Sequence, residues 1–504
     1  MKKILATVLG CALLATVVSG CGNSSVSASP TPGASAGNTA QPGGTEKENT
    51  PYTVKWKLRI SEQTKMGEVQ AAVNKILAEK LPNTSLEFNF IEAASYNDKV
   101  KLALSAGEKF DMMFTSSSFN YQNYLAMDAL LPLTGLIDAY GADLYDIIPE
   151  SLWEAVTVKG EIMAVPNYQI VARQTSAVVP KELVKKYGID VNAIKTFEDL
   201  EPYFDKIQAD TKGLTFGSSF GSTDMDWLLY CGLEVVGGTG IGAIRIDDAV
   251  PTVFNQYEDE EMLQNLKRSR NWYVKGYYNP DIIGSGKFED VTKAGKVMAM
   301  MQCNTPTSYS TLLTRYGMDC DIIPLTEPYI STSSVLGTLT ALSYTSENPE
   351  RTMQFINLLD TDEELYNTVV YGIKDVNYRF VNDKNIEMIP DSGYTTNVSW
   401  MIGNTMLKYP LTSESATLVE DTENLNRTSK ASPILGFNFD SSPVKTEVAS
   451  ISAVLENYTS GLNAGLFEDV EGTLKKLNAE LKAAGMDTVI AEKQKQLDAW
   501  LASK

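Results

Sequence analysis

From Val54 to Ile60 apolar and polar residues alternate: Val54, Trp56, Leu58 and Ile60 against Lys55, Lys57 and Arg59. A period of two predicts a strand with one buried face. Val69, Val73, Ile76 and Leu77 then recur at helical spacing, ending before Pro82. Leu86, Phe88 and Phe90 predict a second strand, and Val100, Leu102 and Leu104 lie in a helical stretch. Phe110 to Phe114 is a short third strand that opens into Thr115, Ser116, Ser117 and Ser118. This βαβαβ order implies a parallel sheet with helices on its faces. Ligands of such sheets sit at the carboxyl ends of the strands. The loop after Ile60, with Glu62, and the loop after Phe114, with Ser116 and Ser117, are therefore candidate binding positions.

The alternation continues. A turn at Lys159-Gly160 joins two short extended runs, and Asn167 and Tyr168 follow at a strand end as further binding candidates. Thr175 to Val179 reads as extended chain. Thr196 to Asp199 has the spacing of a capping box before Leu200, Phe204 and Ile207, which share a helical face with Phe197. Gln264 to Tyr278 reads as a helix, and Lys296 to Met301, Cys320 to Pro324 and Thr338 to Ser343 as strands. Asn348 and Pro349 cap a helix holding Met353, Phe355, Ile356 and Leu359. From Val381 to Val444 the chain is rich in Ser, Thr and Asn, with little periodicity. Helices at Val448 to Tyr458, Val470 to Ala484 and Val489 to Leu501 close it.

The amino terminus has a different logic. Lys2 and Lys3 precede an uncharged run, Ile4 to Val18, and Val18-Ser19-Gly20-Cys21 ends the segment. A basic start, a short apolar core and small residues form a secretory signal. The run is about fifteen residues, short of the ~20 a spanning helix needs. Cys21 after two small residues resembles the lipobox of bacterial lipoproteins, in which that cysteine is acylated. Gly22 to Pro51 is Gly, Ser, Ala, Thr, Pro and Asn, a composition that buries nothing and reads as a tether spanning on the order of 30 Å.

The remaining length suits two or three domain-sized units. A net charge of −20 argues against nucleic acid and against a surface lying flat on an anionic leaflet. The chain has no histidine, which excludes Ser-His-Asp and Cys-His catalysis and zinc sites built on imidazole. Cys231, Cys303 and Cys320 lack CxxC spacing and read as buried thiols. No metal and no cofactor is expected.

Gly238 to Ala243 fits G-x-G-x-x-A, but Ile244 to Asp248 follows as a strand where a dinucleotide site needs a helix. A glycine-rich hairpin is the reading. Gly284 to Lys287 lacks the first glycine of a P-loop, since Asp281 stands there. With 63 Asp and Glu, no carboxylate pair stands out for catalysis. Aromatics outside periodic segments carry more. A sugar ring offers C–H groups to a flat aromatic face and hydroxyls to amides and carboxylates around it. Trp227 lies near Asp224 in a Gly/Ser-rich loop, and Trp400 lies in the irregular region. Trp56, Trp272 and Trp500 fall on periodic faces and read as core.

Three segments together carry a family resemblance: Pro132 to Leu136 with Ile148 to Trp153, Val158 to Tyr168, and Ser343 to Asn357. They resemble the family 1 extracellular solute-binding proteins of ABC importers, the maltose-binding-protein-like group, and within it the Gram-positive lipoproteins with an added C-terminal domain. The resemblance implies an α/β, two-lobed periplasmic-binding-protein type II fold, with strands crossing at a hinge and a helical C-terminal extension. Residues 1–20 would be signal, 21–51 the acylated Cys21 and tether, 52–174 and 326–380 the first lobe, 175–325 the second, and 381–504 the extension. Thr175 to Val179 and Pro324 to Thr338 are the expected crossings.

The function implied is capture of an oligosaccharide between the lobes and delivery to membrane permeases. The chain would work at the extracytoplasmic face of the cell membrane, held there through lipid alone. Glu62, Ser116, Ser117, Asn167, Tyr168, Asp224, Trp227 and Trp400 are the expected ligand contacts. A glycan hydrolase using paired carboxylates, a peptide binder and a sensor remain open at this point.

Overall fold

The computed structural model describes residues 50–218, 224–279 and 288–504. Cys21, the signal, most of the tether and the Gly284 to Lys287 segment lie outside them. Among the described residues no helix is long and apolar enough to cross a membrane.

The first lobe is built on a five-stranded sheet in the order Thr84–Phe90, Tyr52–Leu58, Met112–Thr115, Leu339–Leu342, Val165–Pro166. The first three strands are parallel, and Leu339–Leu342 runs antiparallel to both of its neighbours. Val54, Trp56 and Leu58 are fully buried, as their alternation requires. Lys57, on the polar face, is also buried and reaches Glu108 at 2.7 Å. Helices Met66–Lys80 and Tyr96–Ala106 supply the crossovers. Val100 and Leu104, four apart, are buried, while Leu102 between them is 70% exposed.

The second lobe has a four-stranded sheet, Cys320–Pro324, Thr175–Pro180, Val297–Cys303, Thr215–Ser218. Thr175–Pro180 is antiparallel to both neighbours, and Thr215–Ser218 is parallel to Val297–Cys303. Both faces are covered: Ala177, Val179 and Met301 enter one core, Val178, Val297 and Met300 another. The capping box forms, with Asp199 Oδ2 accepting from the Thr196 amide at 2.8 Å and Thr196 Oγ1 from the Asp199 amide at 3.3 Å. The glycine-rich segment closes an antiparallel pair, Leu233–Val235 with Ala243–Arg245. Gly237, Gly240 and Gly242 all take positive φ there, which only glycine adopts without strain.

The residues expected to form one extension, 381–504, divide between two bodies. Ile386, Tyr394, Met401 and Ile402 are buried in the first-lobe core. Ile434 and residues from Phe437 to Leu497 instead join Leu233, Ile244, Tyr257 and Leu266 in a separate core, through Leu474, Leu477, Leu481 and Val489, while Leu435 stays with the first-lobe core. Lys493 fastens this helical body to the glycine-rich turn. It is fully buried, and its Nζ donates to Thr239 Oγ1 at 2.8 Å and to the carbonyls of Val236 and Ile241.

Among the described residues, three stretches of chain pass between the lobes. Arg173 bridges Tyr329 in antiparallel fashion, and Tyr329–Ile330 pairs in parallel with Lys430–Ala431. Asn426 ties the third passage to the first: its Oδ1 accepts from the Val171 amide at 3.0 Å, and its Nδ2 donates to the Gln169 carbonyl at 2.7 Å. Thr175 to Val179, the expected crossing, is already an inner strand of the second-lobe sheet, and the bridge lies two residues earlier. The third passage has no signature in the sequence, because its two strand residues are exposed and polar or small.

Candidate binding cleft

A cavity of about 350 Å³ opens between residues 395–422 and Gln169 on the first-lobe side and Pro306, Thr307 and Thr311 of the second lobe. Its second-lobe wall begins just past the carboxyl end of strand Val297–Cys303, where ligands of α/β sheets bind.

Trp400 and Tyr371 are the aromatics among the described residues lining this cavity, and Trp400 is the exposed one. It is 37% exposed, and its ring meets Phe114 edge-on at 5.7 Å. The local chain explains its placement. Asn397 takes a left-handed conformation at φ 53°, which turns the chain toward the cleft. Just before that turn, Thr396 Oγ1 donates to the Val370 carbonyl at 3.0 Å and Tyr394 Oη to the Val369 carbonyl at 2.7 Å. The Thr395 amide donates to Gln63 Oε1 at 2.8 Å, joining this loop to the loop after the first strand. Lys408 and Glu414 pair at 2.6 Å in the cavity wall, each 11% exposed.

The other expected contacts divide by environment. Glu62 is exposed, next to Gln63. Ser117 is exposed, and its amide donates to the Leu336 carbonyl at 2.8 Å. Ser116 is buried, with its Oγ accepting from the amides of Ser118 and Phe119 at 3.2 and 3.1 Å, so it shapes the loop from within. Asn167 is buried and accepts from Thr340 Oγ1 at 2.8 Å. Tyr168 is half-buried, and its carbonyl takes the Thr405 amide at 2.8 Å, which sets it against the cavity wall. Burial, and then Glu423, push its phenol pKa up.

Trp227 sits elsewhere. It is half-buried among Phe197, Phe216 and Tyr230, with ring centroids 5.2, 6.4 and 6.3 Å away, beneath the Arg268 guanidinium at 5.1 Å. It lines a different cavity from Trp400. Asp224 begins the same short helix, Asp224–Tyr230, but its side chain lies outside the described residues.

Sequence reasoning missed Thr307 and Thr311, although the loop after Val297–Cys303 qualified by the same strand-end rule as Ser116. It also missed Lys408 and Glu414, which lie six apart in an aperiodic stretch and carried no signal. Glu414 is the one carboxylate among the described residues lining the cavity. Cys231, Cys303 and Cys320 are buried thiols, and burial pushes the pKa of each up. No group of three or more His, Cys, Asp or Glu among the described residues could hold a metal ion.

Two α/β lobes, three passages between them and an aromatic cavity bordered by both lobes define a two-lobed solute-binding fold. Residues 61–298 match the bacterial extracellular solute-binding proteins, and residues 433–502 match a domain of unknown function, DUF3502. The chain is 28% identical over 449 residues to a carbohydrate ABC transporter substrate-binding protein of Streptococcus pneumoniae, covering 87% of this chain and 89% of that one. It is also similar to the solved N-glycan transport solute binding protein NgtS of Streptococcus pneumoniae, with a TM-score of 0.79, 26% identity, and coverage of 89% of this chain and 99% of that one. Against NgtS in complex with Man5GlcNAc the TM-score is 0.68, with 25% identity and coverage of 90% and 99%.

Proposed function

We propose that this chain is the substrate-binding component of a carbohydrate ABC transporter. It takes a neutral oligosaccharide against Trp400 in the interlobe cavity, closes at the hinge, and delivers its ligand to membrane permeases. The observation that carries this reading is the exposed indole of Trp400 in a cavity bordered by both lobes, with Thr307 and Thr311 opposite it. An aromatic face with hydroxyls around it suits a sugar ring. The relative in S. pneumoniae supports the same class.

The fold's resemblance is greater to NgtS named without a ligand than to the oligosaccharide complex, 0.79 against 0.68. That difference agrees with a hinge that closes on ligand. Acylation of Cys21 would keep the body within a tether's reach of its permeases. The hydrolase reading is disfavoured because hydrolysis needs two carboxylates, and the single one among the described residues lining the cavity pairs with Lys408.

Isothermal titration with Man5GlcNAc, a peptide library and free amino acids tests the ligand class. Saturable binding of Man5GlcNAc, recovered uncut, is expected. Saturable peptide binding with no response to any neutral oligosaccharide would overturn it.

A further inference from the structure

A second cavity, also about 350 Å³, lies between the second lobe and the C-terminal helical body. It shares no lining residue with the Trp400 cavity. Trp227, Tyr257 and Asn265 face it from the second lobe, Leu455 and Thr459 from the C-terminal helices, and Ser333 from the first lobe. Its walls are held firmly. Asn478 Nδ2 donates to the Tyr257 carbonyl at 3.0 Å and its Oδ1 accepts from Asn255 at 2.9 Å, which ties helix Val470–Ala483 to the wall.

The chemistry of the lining is specific. No residue among the described ones lining it is Asp, Glu, Lys or Arg. A charged ligand would lose its hydration against a wall whose described lining carries no charge. What the cavity offers is aromatic surface with amides and hydroxyls. Asn265 is the informative group. It is 6% exposed, and its Oδ1 accepts from the Arg268 guanidinium. Arginine only donates, so this contact fixes which end of the amide faces Arg268. The Asn265 NH₂ therefore points away from Arg268, on a residue that lines the cavity. Arg268 is itself held by Glu198 at 3.0 Å and lies over the rings of Phe197, Trp227, Tyr230 and Trp272. An oriented amide donor beside an indole, in a wall without charge, is suited to a ligand oxygen that accepts from it.

We propose that this cavity is a second sugar site that takes one uncharged sugar unit, with Asn265 donating to a ring or hydroxyl oxygen and the Trp227 side stacking its C–H face. Its volume is at the small end of the ~300–1,000 Å³ range of ligand pockets, which suits a single unit. The C-terminal body thereby gains a role: it closes the wall of a carbohydrate site. The proposal rests on the carbohydrate reading and extends it to a place outside the Trp400 cavity.

Two variants test it. Asn265→Asp keeps an acceptor for Arg268 and removes the donor. Thr459→Trp fills the cavity from the C-terminal side. Titrated with Man5GlcNAc, each is expected to lose about tenfold or more in affinity at an unchanged Tm. In the unaltered chain, saturating Man5GlcNAc should slow amide exchange in helices Glu260–Val274 and Thr459–Asn463. Wild-type affinity in both variants overturns the second site, and so does unchanged exchange in those helices should either variant misfold. If Trp400→Ala weakens binding under those same conditions, the carbohydrate reading stands and only the second site falls. If the unaltered chain binds neither Man5GlcNAc nor any other neutral oligosaccharide, the carbohydrate reading itself has failed.

Discussion

Arg173 and Tyr329 exchange both of their backbone hydrogen bonds, each 2.8 Å, where two chain passages run side by side between the lobes. Each side chain then reaches a different anchor in the second lobe. The Arg173 guanidinium grips Asp226 with contacts of 2.8 and 2.9 Å, and Tyr329 Oη donates to Glu234 at 2.5 Å. Asp226 stands directly before Trp227, so the hinge and the helix that faces the second cavity share one ion pair.

That pair should be costly to break from one side. Asp226 is fully buried, and Arg173→Leu would leave its carboxylate without the guanidinium. Removing one partner of a buried pair costs about 3–5 kcal/mol, more than removing both. Urea unfolding of Arg173→Leu, Asp226→Leu and the double variant should show the double as less destabilised than the sum. Strict additivity would mean that the pair does not couple the hinge to this helix.

The hinge should also respond to pH. Glu234 accepts from Tyr329 and from Ser432 at 2.6 Å, so its carboxyl clasps two of the three passages. Burial pushes its pKa from 4.5 up to about 7. Between those two values the folded chain binds more protons than the unfolded chain, so this group's stabilisation is lost as pH rises through the window. Glu234→Gln should flatten the dependence of stability on pH between about 4.5 and 7. Asp360, buried in the first lobe with its pKa pushed to about 8, acts with the same sign, and Asp360→Asn should stabilise the chain most above pH 8. Chemical denaturation across pH 4 to 9 reads both effects; an unchanged slope in either variant would contradict the assignment.

The two candidate tryptophans should behave differently on truncation. Trp400 is exposed at the cleft and packs edge-on against one ring, so Trp400→Ala should leave Tm nearly unchanged. It should cost about 1–3 kcal/mol of oligosaccharide binding, by analogy with base stacking on aromatic side chains. Trp227 is packed among three rings under Arg268, so Trp227→Ala should lower stability by about 2–4 kcal/mol as well as weaken binding. Calorimetric melting beside titration separates the two effects.

Cys21→Ser should release the protein from the membrane fraction into the medium while its titration with oligosaccharide stays the same. Uptake by cells should fall. Membrane retention of that variant would remove the lipid anchor from the proposal.

How much was legible depended on periodicity. The strand from Val54, the helix from Val69 and the capping box at Thr196 were written in local pattern, because a half-buried element must place apolar residues at its own period. Trp400 was legible as an aromatic outside any such pattern. Trp227 carried the same signal, yet it faces a separate cavity, because its ring neighbours come from Phe197 and Phe216, close only through the second-lobe sheet.

The sequence by itself determined the α/β alternation, the absence of histidine chemistry and the likeness to solute-binding proteins. Each of these follows from local spacing or composition. Tertiary structure alone decided that residues 381–411 complete the first lobe, that the last helices close over the second, and that Lys430 and Ala431 form a third passage. It alone set Lys408 against Glu414 and turned the Asn265 amide oxygen to Arg268. Those relationships depend on pairing across hundreds of residues in the chain, and neither period nor composition records which distant segments will meet.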